Sequence, residues 1–251
     1  MSKLEEIKNV EIIGGGNVAW HLSRWLHCSP VSSRTLEGLR RDADIYIISV
    51  SDDAIATVAE NMIQKLGIDV LRDKLVVHTS GTSAIDVLPA SLGKRGVLYP
   101  MQTFSAGKEL DYSQIPLFVE AQNKDLLTIL HSFARKMSPL VFNLDSTGRK
   151  HLHLAAVFAC NYVTLMFSLA SRQMHTIGLD FKLLEPLVRE TVEKSFRIPP
   201  EEAQTGPARR HDISTISAHL NLLDGQEKEK QLYSTIAQMI MGKYDDKGHL
   251  K

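Results

Sequence analysis

The chain has 251 residues, of which 43% are hydrophobic and 23% are charged, which is enough for one large domain or two modest ones with proper cores. Lys plus Arg and Asp plus Glu are equal at 29 each, which excludes a bulk electrostatic attraction to nucleic acid or to an anionic membrane surface. The two cysteines, Cys28 and Cys160, lie far apart, and no signal-like segment opens the sequence. We therefore expect a cytoplasmic protein in a reducing compartment, without a metal site.

Close to the N-terminus, a short apolar run breaks into glycines and then resumes at helical spacing. In this G-x-G-x-x-A pattern Gly14 permits a tight turn, Gly16 lets the backbone approach a pyrophosphate, and Ala19 lets the helix pack on the strand. Free amides and the helix dipole would then face the phosphates. We predict dinucleotide binding here, against the alternative of a plain turn between a strand and a helix. The residues assigned to this loop are Gly14, Gly15, Gly16, Asn17 and Val18.

Short β-rich runs alternate with helical stretches from residue 9 to about residue 145, and after Ser146 the β-rich runs stop. This order predicts an α/β fold, a Rossmann-like and mainly parallel sheet covered on both faces, followed by an all-α C-terminal domain. We place the domains at residues 1–145 and 146–251. The expected strands are residues 10–13, 45–50, 75–79, 97–99, 117–120 and 140–144.

The interval between Cys28 and Asp44 departs from the expected pattern, because it is polar, contains a proline and is short for a strand and helix pair. Either the domain is reduced here or residues are missing from the chain, and we favour the second. The position that reads the ribose is occupied by Arg34 rather than an acid. A cation flanked by hydroxyl groups suits a 2′-phosphate, so we predict NADP, with NAD as the alternative. The residues assigned to this contact are Ser33, Arg34 and Thr35.

Ligands of open α/β sheets lie beyond the carboxyl ends of the strands, and polar residues follow three of the predicted strands. Asp52 or Asp53 is best explained as a helix N-cap, and His78 as a structural group rather than a proton donor. We assign to the cofactor Val50, Ser51, Thr79 and Ser80. We assign to the substrate Gln102 and Thr103.

In the helical half, an alanine-rich apolar stripe runs from Ser146 to Ile177, which predicts a central helix and a homodimer through the helical domain. We expect no membrane span, because residues 152–170 include polar side chains. A second stripe carries His153 and Asn161 and should face a cleft. Further along, Thr205 lies in a tight turn and is assigned to the substrate. Arg210 is predicted to clamp a substrate carboxylate just before a helix that Asp212 would cap.

Six motifs in this order give a specific resemblance over about residues 9–240. They are Gly-Gly-Gly-Asn-Val-Ala, Ser-Arg-Thr, His-Thr-Ser-Gly, Pro-Met-Gln-Thr-Phe, His-Leu-Ala-Ala-Val-Phe-Ala-Cys-Asn-Tyr and Thr-Gly-Pro. Together they resemble the short-subunit dehydrogenase-like oxidoreductases, which have a helical C-terminal domain of unknown function. That family is similar to pyrroline-5-carboxylate reductase and to deazaflavin-dependent NADP oxidoreductases. The resemblance implies NAD(P) binding, a cleft between the domains and a helical dimer interface.

These observations predict an NAD(P)-dependent oxidoreductase acting on a small polar or carboxylate-bearing compound with a C=O or C=N bond. His153 is the expected proton donor and Asn161 the expected orienting residue. The competing hypothesis is a non-catalytic sensor or scaffold that binds NADP. The observation that favours this second hypothesis is Val157, four residues before Asn161. Dehydrogenases of hydroxy acids often have lysine at this position.

Overall fold

A computed structural model describes the protein over residues 6–245. Its residues form two compact units, one up to Asn161 and one from Tyr162 onward. The first unit is built on a six-stranded sheet whose strands lie in chain order. The strands are β1 (Val10–Ile13), β2 (Ile45–Ile48), β3 (Leu75–His78), β4 (Lys94–Pro100), β5 (Leu117–Ala121) and β6 (Val141–Asn143).

All neighbouring strands run parallel except β4 and β5, which are antiparallel. Each strand lies on or overlaps one of the predicted β-rich runs. The carboxyl ends of β1 to β4 therefore meet at one edge of the sheet, although β4 enters an antiparallel pairing on its other side. The prediction of a mainly parallel Rossmann-like sheet is confirmed.

Helices cover both faces of the sheet. Successive residues of a strand point to opposite faces, so each strand contributes side chains to two cores. Ile12 and Ile47 join a core with side chains of α1 and α4, whereas Ile13 and Ile48 join a second core with α2. Full burial of each such isoleucine contributes about 1.5–3 kcal/mol. The helices of this unit are α1 (Asn17–Trp25), α2 (Ile55–Leu66), α3 (Ile68–Leu71), α4 (Lys124–Met137) and α5 (Ser146–Ala156).

The strand expected after α1 is reduced to a single parallel bridge between Ile13 and Val31. The Val31 N–H donates to the Ile12 carbonyl (2.7 Å), and the Gly14 N–H donates to the Val31 carbonyl (2.9 Å). On either side of this bridge, His27 and Leu36 have positive φ angles of 54° and 50°. Left-handed backbone at residues other than glycine costs about 1 kcal/mol or more, so this shortened connection is strained.

The helical unit begins inside a long helix that contains a π-helical turn. Helix α5 passes through the π turn Val157–Tyr162 into α6, and the division between the two compact units lies inside this turn. The boundary predicted at residues 145 and 146 lies at the start of the same long helix and stays a prediction. The remaining elements are α6 (Val163–Thr176), α7 (Glu185–Arg197), α8 (Pro200–Ala203), α9 (Ile213–Leu222) and α10 (Glu227–Asp245).

The helical unit buries little of its own apolar surface. Its core cluster of buried residues consists of Ala208, Ile216 and Ala237, whereas Phe196 is 90% exposed and Leu222 is 73% exposed. The helix Ser146–Thr176 is long and apolar enough to cross a membrane, and its most apolar window is unburied within the chain. Core helices of other proteins are equally long and apolar. The exposed apolar faces therefore indicate that another surface would cover them, but they do not identify that surface.

Candidate functional site

The glycine loop has the geometry of a phosphate-binding turn. Gly14 has φ of +150°, and a Cβ atom there would lie 2.0 Å from the Ser49 carbonyl oxygen, so only glycine fits. Gly16 is the N-cap of α1, and no side chain caps the helix there. A Cβ atom on Gly16 would meet nothing within 4 Å. The loop thus offers open space and uncapped backbone N–H groups at the positive end of a helix, which fits an anionic pyrophosphate.

A cavity of about 1000 Å³ lies beyond the carboxyl ends of β1 to β4. It is the place where open α/β sheets bind their ligands. The cavity is lined by most of the residues predicted for the site, namely Gly15, Gly16, Asn17, Val18, Ser33, Arg34, Val50, Ser51, Thr79, Ser80, Gln102 and His153. The structure therefore brings the predicted cofactor loop and the predicted proton donor to one cavity.

Several predicted residues of this unit do not line the cavity. Gly14 packs against the end of β2 instead. Thr35 accepts a hydrogen bond from Lys65 Nζ through its carbonyl (3.1 Å), and Thr103 turns its N–H and hydroxyl toward Gln102 Oε1. These residues shape the loops around the cavity, and direct ligand contacts from their side chains stay predictions.

Asn161 is exposed and lies in the π turn, outside the set of residues that line this cavity. The sequence spacing placed it on one stripe with His153, assuming a regular α-helix. Asn161 lies inside the π turn, whose hydrogen bonds run from residue i to i+5, so the regular α-helical spacing assumed for the stripe does not hold at this position. The structure thus brings His153, but not Asn161, to the cavity.

Arg34 lies on the cavity wall with its side chain exposed. Over residues 6–245, none of the ion pairs found involves its guanidinium group, so its donors are available to a ligand. The Arg34 N–H donates to Ser32 Oγ (3.3 Å), and Ser32 and Ser33 line the same wall. A cation with two neighbouring hydroxyl groups is a suitable site for a phosphate monoester.

His153 and Tyr99 form a hydrogen-bonded pair in the cavity wall, with 3.2 Å between Tyr99 Oη and His153 Nδ1. Burial raises the pKa of the Tyr99 hydroxyl, which keeps the phenol protonated at neutral pH. The two rings rest on Gly81, where a Cβ atom would lie 2.6 Å from His153 Nδ1 and 2.9 Å from Tyr99 Cζ. With Nδ1 engaged by Tyr99, Nε2 is the ring atom left to exchange a proton with a substrate.

Asp52 has a different role from the one predicted for it. The short turn Asp52–Ala54 is preceded by Ser51, and no side chain makes a capping hydrogen bond there. Asp52 instead lines the cavity and accepts a hydrogen bond from the Thr82 hydroxyl. The N-cap interpretation was wrong for both Asp52 and Asp53, because the N-cap residues of this turn and of α2 are Ser51 and Ala54, and no side chain makes a capping hydrogen bond at either. In the part of the chain that the structure describes, no group of three His, Cys, Asp or Glu residues has the arrangement of a metal site.

His78 is a buried structural residue, in agreement with the interpretation made from the sequence. It accepts a hydrogen bond at Nδ1 from the Ser80 N–H (3.2 Å), and Nε2 donates to the Ala84 carbonyl (3.3 Å). Burial, followed by the positive charge of Arg149, lowers the pKa of His78 to about 4. The ring is therefore neutral at pH 7 and organises the loop after β3.

This buried histidine predicts acid sensitivity. The unfolded chain binds a proton at His78 below about pH 6.5, whereas the folded chain does not bind it until about pH 4. Stability should fall as the pH drops through this window, by about 3 kcal/mol in total. Denaturant unfolding of His78→Gln, with exposed His27→Gln as the control, should show a flatter pH dependence only in the first variant. Equal slopes in all three proteins would contradict the assignment.

In the helical unit, Asp212 caps α9 as predicted, since its carboxylate accepts a hydrogen bond from the Thr215 N–H (3.0 Å). Bonds from Thr215 and Ser214 lower the pKa of Asp212 to about 2. Arg210 is exposed, whereas its neighbour Arg209 donates to the Gln204 carbonyl and lies over the Tyr244 ring. Thr205 lines a second, apolar cavity of about 540 Å³ within this unit. A substrate role for Thr205 and Arg210 stays a prediction.

Several residues of the site had no role predicted from the sequence. Tyr99 stands at the end of a strand, a position that could have indicated a site residue. Gly81 lies in a turn, and nothing in the sequence distinguishes it from other turn glycines. Arg149 and Glu120 had no signal in the sequence, because their pairing joins a helix to a strand that is distant along the chain.

A family model described as a domain of unknown function (DUF2520) matches residues 115–240. The match extends from the last two strands of the sheet through α10 and covers half of the chain. No curated protein matches the sequence.

Solved structures of similar proteins cover almost the whole chain. A Bacteroides fragilis protein, to which NADP oxidoreductase activity is provisionally assigned, is 31% identical with a TM-score of 0.79, over 96% of this chain and 100% of its own. An imine reductase from Myxococcus stipitatus in complex with NADP⁺ is 16% identical, with a TM-score of 0.61 and 96% of each chain covered. The NADP-bound pyrroline carboxylate reductase of Plasmodium falciparum is 13% identical, with a TM-score of 0.54, over 96% of this chain and 100% of its own.

The last two likenesses concern the fold alone, because their identities are low. All three of these proteins are named as oxidoreductases or reductases. The enzyme class and cofactor predicted from the sequence agree with the name given to the 31% identical Bacteroides fragilis protein, which is that of an NADP oxidoreductase. The family model and the Bacteroides fragilis protein together establish the family. The chain belongs to the family that carries the DUF2520 domain of unknown function.

Proposed function

We propose that this protein is an NADP-dependent oxidoreductase that reduces or oxidises a small polar or carboxylate-bearing compound at a C=O or C=N bond. The observation that carries the proposal is one cavity lined by the glycine loop, by Arg34 and by the His153–Tyr99 pair. We also propose that the protein is a short-subunit dehydrogenase-like oxidoreductase, the family that its sequence motifs resemble, and that it is cytoplasmic.

The residues present suit the cofactor. The open space at Gly16 and the uncapped start of α1 would hold the pyrophosphate, and Arg34 with Ser33 would hold the 2′-phosphate. Val50, Ser51, Thr79 and Ser80 would border the rest of the molecule. When bound, the nicotinamide supplies or accepts the hydride.

The contribution of the chain to the chemistry is proton transfer and orientation. In its cationic form, the His153 ring donates its Nδ1–H to Tyr99 Oη and carries a transferable proton on Nε2. Giving this proton to the substrate oxygen or nitrogen during reduction leaves a neutral imidazole, and oxidation returns it. Gln102 would orient the substrate in the cavity. Substrate roles for Asn161, Thr103, Thr205 and Arg210 are proposed from the sequence pattern alone.

The cofactor assignment predicts a preference for NADPH over NADH. A charged hydrogen-bond network from Arg34 to the 2′-phosphate contributes about 1.5–3 kcal/mol, which corresponds to about a tenfold to hundredfold difference in Kd. Fluorescence titration should show this preference in the wild type and little of it in Arg34→Ala. Arg41→Ala removes an exposed arginine that does not line the cavity, so it is the matched control. Equal affinities of the wild type for both nucleotides would refute the assignment.

The exposed apolar faces of the helical unit predict a homodimer. Phe196, Leu222 and Met239 are each more than two-thirds exposed, and a second copy of the chain would remove such surface from water. Sedimentation velocity at micromolar concentration, without detergent, should give a dimer, and Leu222→Glu should shift it toward the monomer. A wild-type monomer throughout this range would contradict the prediction, and recovery only with detergent or lipid would favour a membrane role for the long helix.

A further inference from the structure

A buried cation lies one helical turn before His153. Arg149 is 1% exposed and is among the largest fully buried side chains of the described chain. It stands in the first turn of α5, where the positive end of the helix dipole opposes a cation. Burial of a charge is strongly unfavourable unless it is paired and hydrogen-bonded, so the position of Arg149 requires dedicated partners.

Those partners come from two other parts of the sheet edge. Arg149 Nη1 forms an ion pair with Glu120 on β5, Nε donates to the Ser80 carbonyl (3.1 Å), and Nη2 donates to the Ser83 carbonyl. The guanidinium fork therefore joins α5, β5 and the loop after β3.

Ser146 completes the network at the start of α5. Its hydroxyl contacts both carboxylate oxygens of Glu120 (2.9 and 2.8 Å) and accepts a hydrogen bond from the Ile85 N–H (3.2 Å). Ser80 adds an internal support, because its hydroxyl accepts hydrogen bonds from the N–H groups of Thr82 and Ser83. The loop is thus held at both ends by side chains that are largely removed from water.

The loop after β3 also contains Gly81, on which the rings of His153 and Tyr99 rest. Gly81 lies between the two carbonyl groups held by Arg149, and both rings approach the place where its Cβ atom would be. Arg149 and His153 are four residues apart on one face of α5. A shift of the loop relative to α5 would therefore move the surface on which the His153 ring rests.

We propose that Arg149 is a positioning residue, which fixes Gly81 through Ser80 and Ser83 and thereby holds the His153 ring against Tyr99 in the cavity. The catalytic part of this inference rests on the proposed function of His153. Lysine cannot replace the arginine, because one ammonium group cannot reach the carboxylate and both carbonyls in a fixed fork.

The test compares Arg149→Lys with a second, partly buried arginine outside the cavity. Arg95 on β4 is also paired with a carboxylate, that of Asp86, and donates to the Leu88 carbonyl (3.0 Å), but it does not line the cavity. Histidine-ring NMR of the full chain, with the His153 signals assigned by their loss in His153→Gln, reports the ring directly and needs no substrate. We expect the His153 signals to shift or split in Arg149→Lys and Glu120→Gln and to stay in place in Arg95→Lys.

A turnover measurement adds a second readout. Arg149→Lys should lower kcat about tenfold or more while the Kd for NADPH changes less than about twofold, since misplacement of a catalytic group affects the chemical step. If Arg149→Lys does not fold, Ser146→Ala is the second variant. It removes only the hydroxyl that contacts Glu120, and it should also move the His153 signals. Unmoved His153 signals in every folded variant of Arg149, Glu120 and Ser146 would overturn the proposal. Absence of turnover in the wild type would refute the proposed function alone, because the NMR result stands without a substrate.

Discussion

His153→Ala is expected to slow turnover about a hundredfold, the usual scale for the loss of a general acid. The substrate would come from a screen of small imino and keto acids with NADPH. The affinity for NADPH should survive, because the cofactor contacts assigned to the glycine loop at the start of α1 and to Arg34 do not involve His153 on α5. Steady-state kinetics and a separate cofactor titration measure the two effects.

The matched control is His151→Ala, since His151 is an exposed histidine on the same helix that does not line the cavity. It should leave kcat within about twofold of the wild type. Joint loss of cofactor binding and turnover in His153→Ala would show a structural role for this histidine. If no substrate is turned over while NADPH still binds and changes dimer stability, the non-catalytic sensor hypothesis replaces the enzyme.

Gly14→Ala should weaken NADPH binding by about a hundredfold and destabilise the protein by about 3 kcal/mol. The added Cβ would lie 2.0 Å from the Ser49 carbonyl oxygen and 2.9 Å from its carbon, and both atoms belong to the backbone. Neither can rotate away, so the loop or the end of β2 must move. Calorimetric titration with NADPH and denaturant unfolding should detect the two effects.

Gly15→Ala is the control for stability, because a Cβ atom there meets nothing within 4 Å and Gly15 has no positive φ angle. Its unfolding free energy should stay within about 1 kcal/mol of the wild type. A Gly14→Ala protein with native stability and native NADPH affinity would show that the loop adapts, and the phosphate-loop assignment would lose its steric basis.

Much of the α/β unit was predictable because its signals are local. The strands alternate with helices, and each strand is a short apolar run bounded by polar residues, so their existence followed from the sequence. The glycine loop was recognisable for the same reason, since its glycines, Ala19 and the preceding strand are neighbours along the chain. The weakness of the second strand was also visible, and the structure forms only the bridge at Val31 there. Residues missing from the chain, the explanation favoured from the sequence, stay a prediction.

The helical half was less predictable because its helix does not keep one regular period. The long helix forms, but the π turn Val157–Tyr162 interrupts it, and Asn161 does not line the cavity that His153 lines. A π turn depends on the packing of the residues around it and has no clear pattern in a single sequence. The helical domain also exposes apolar side chains such as Phe196 and Leu222, and the surface that would cover them cannot be deduced from local sequence patterns.

The sequence by itself determined the order of strands and helices, the glycine loop between β1 and α1, the cationic position at Arg34 and the fold class, because these depend on local periodicity and on residues adjacent along the chain. Only the tertiary structure decided that His153 meets Tyr99 over Gly81, and that Arg149 is buried against Glu120. These contacts join residues from separate strands, loops and helices, and the packing of α5 against the sheet edge alone brings them within hydrogen-bond distance.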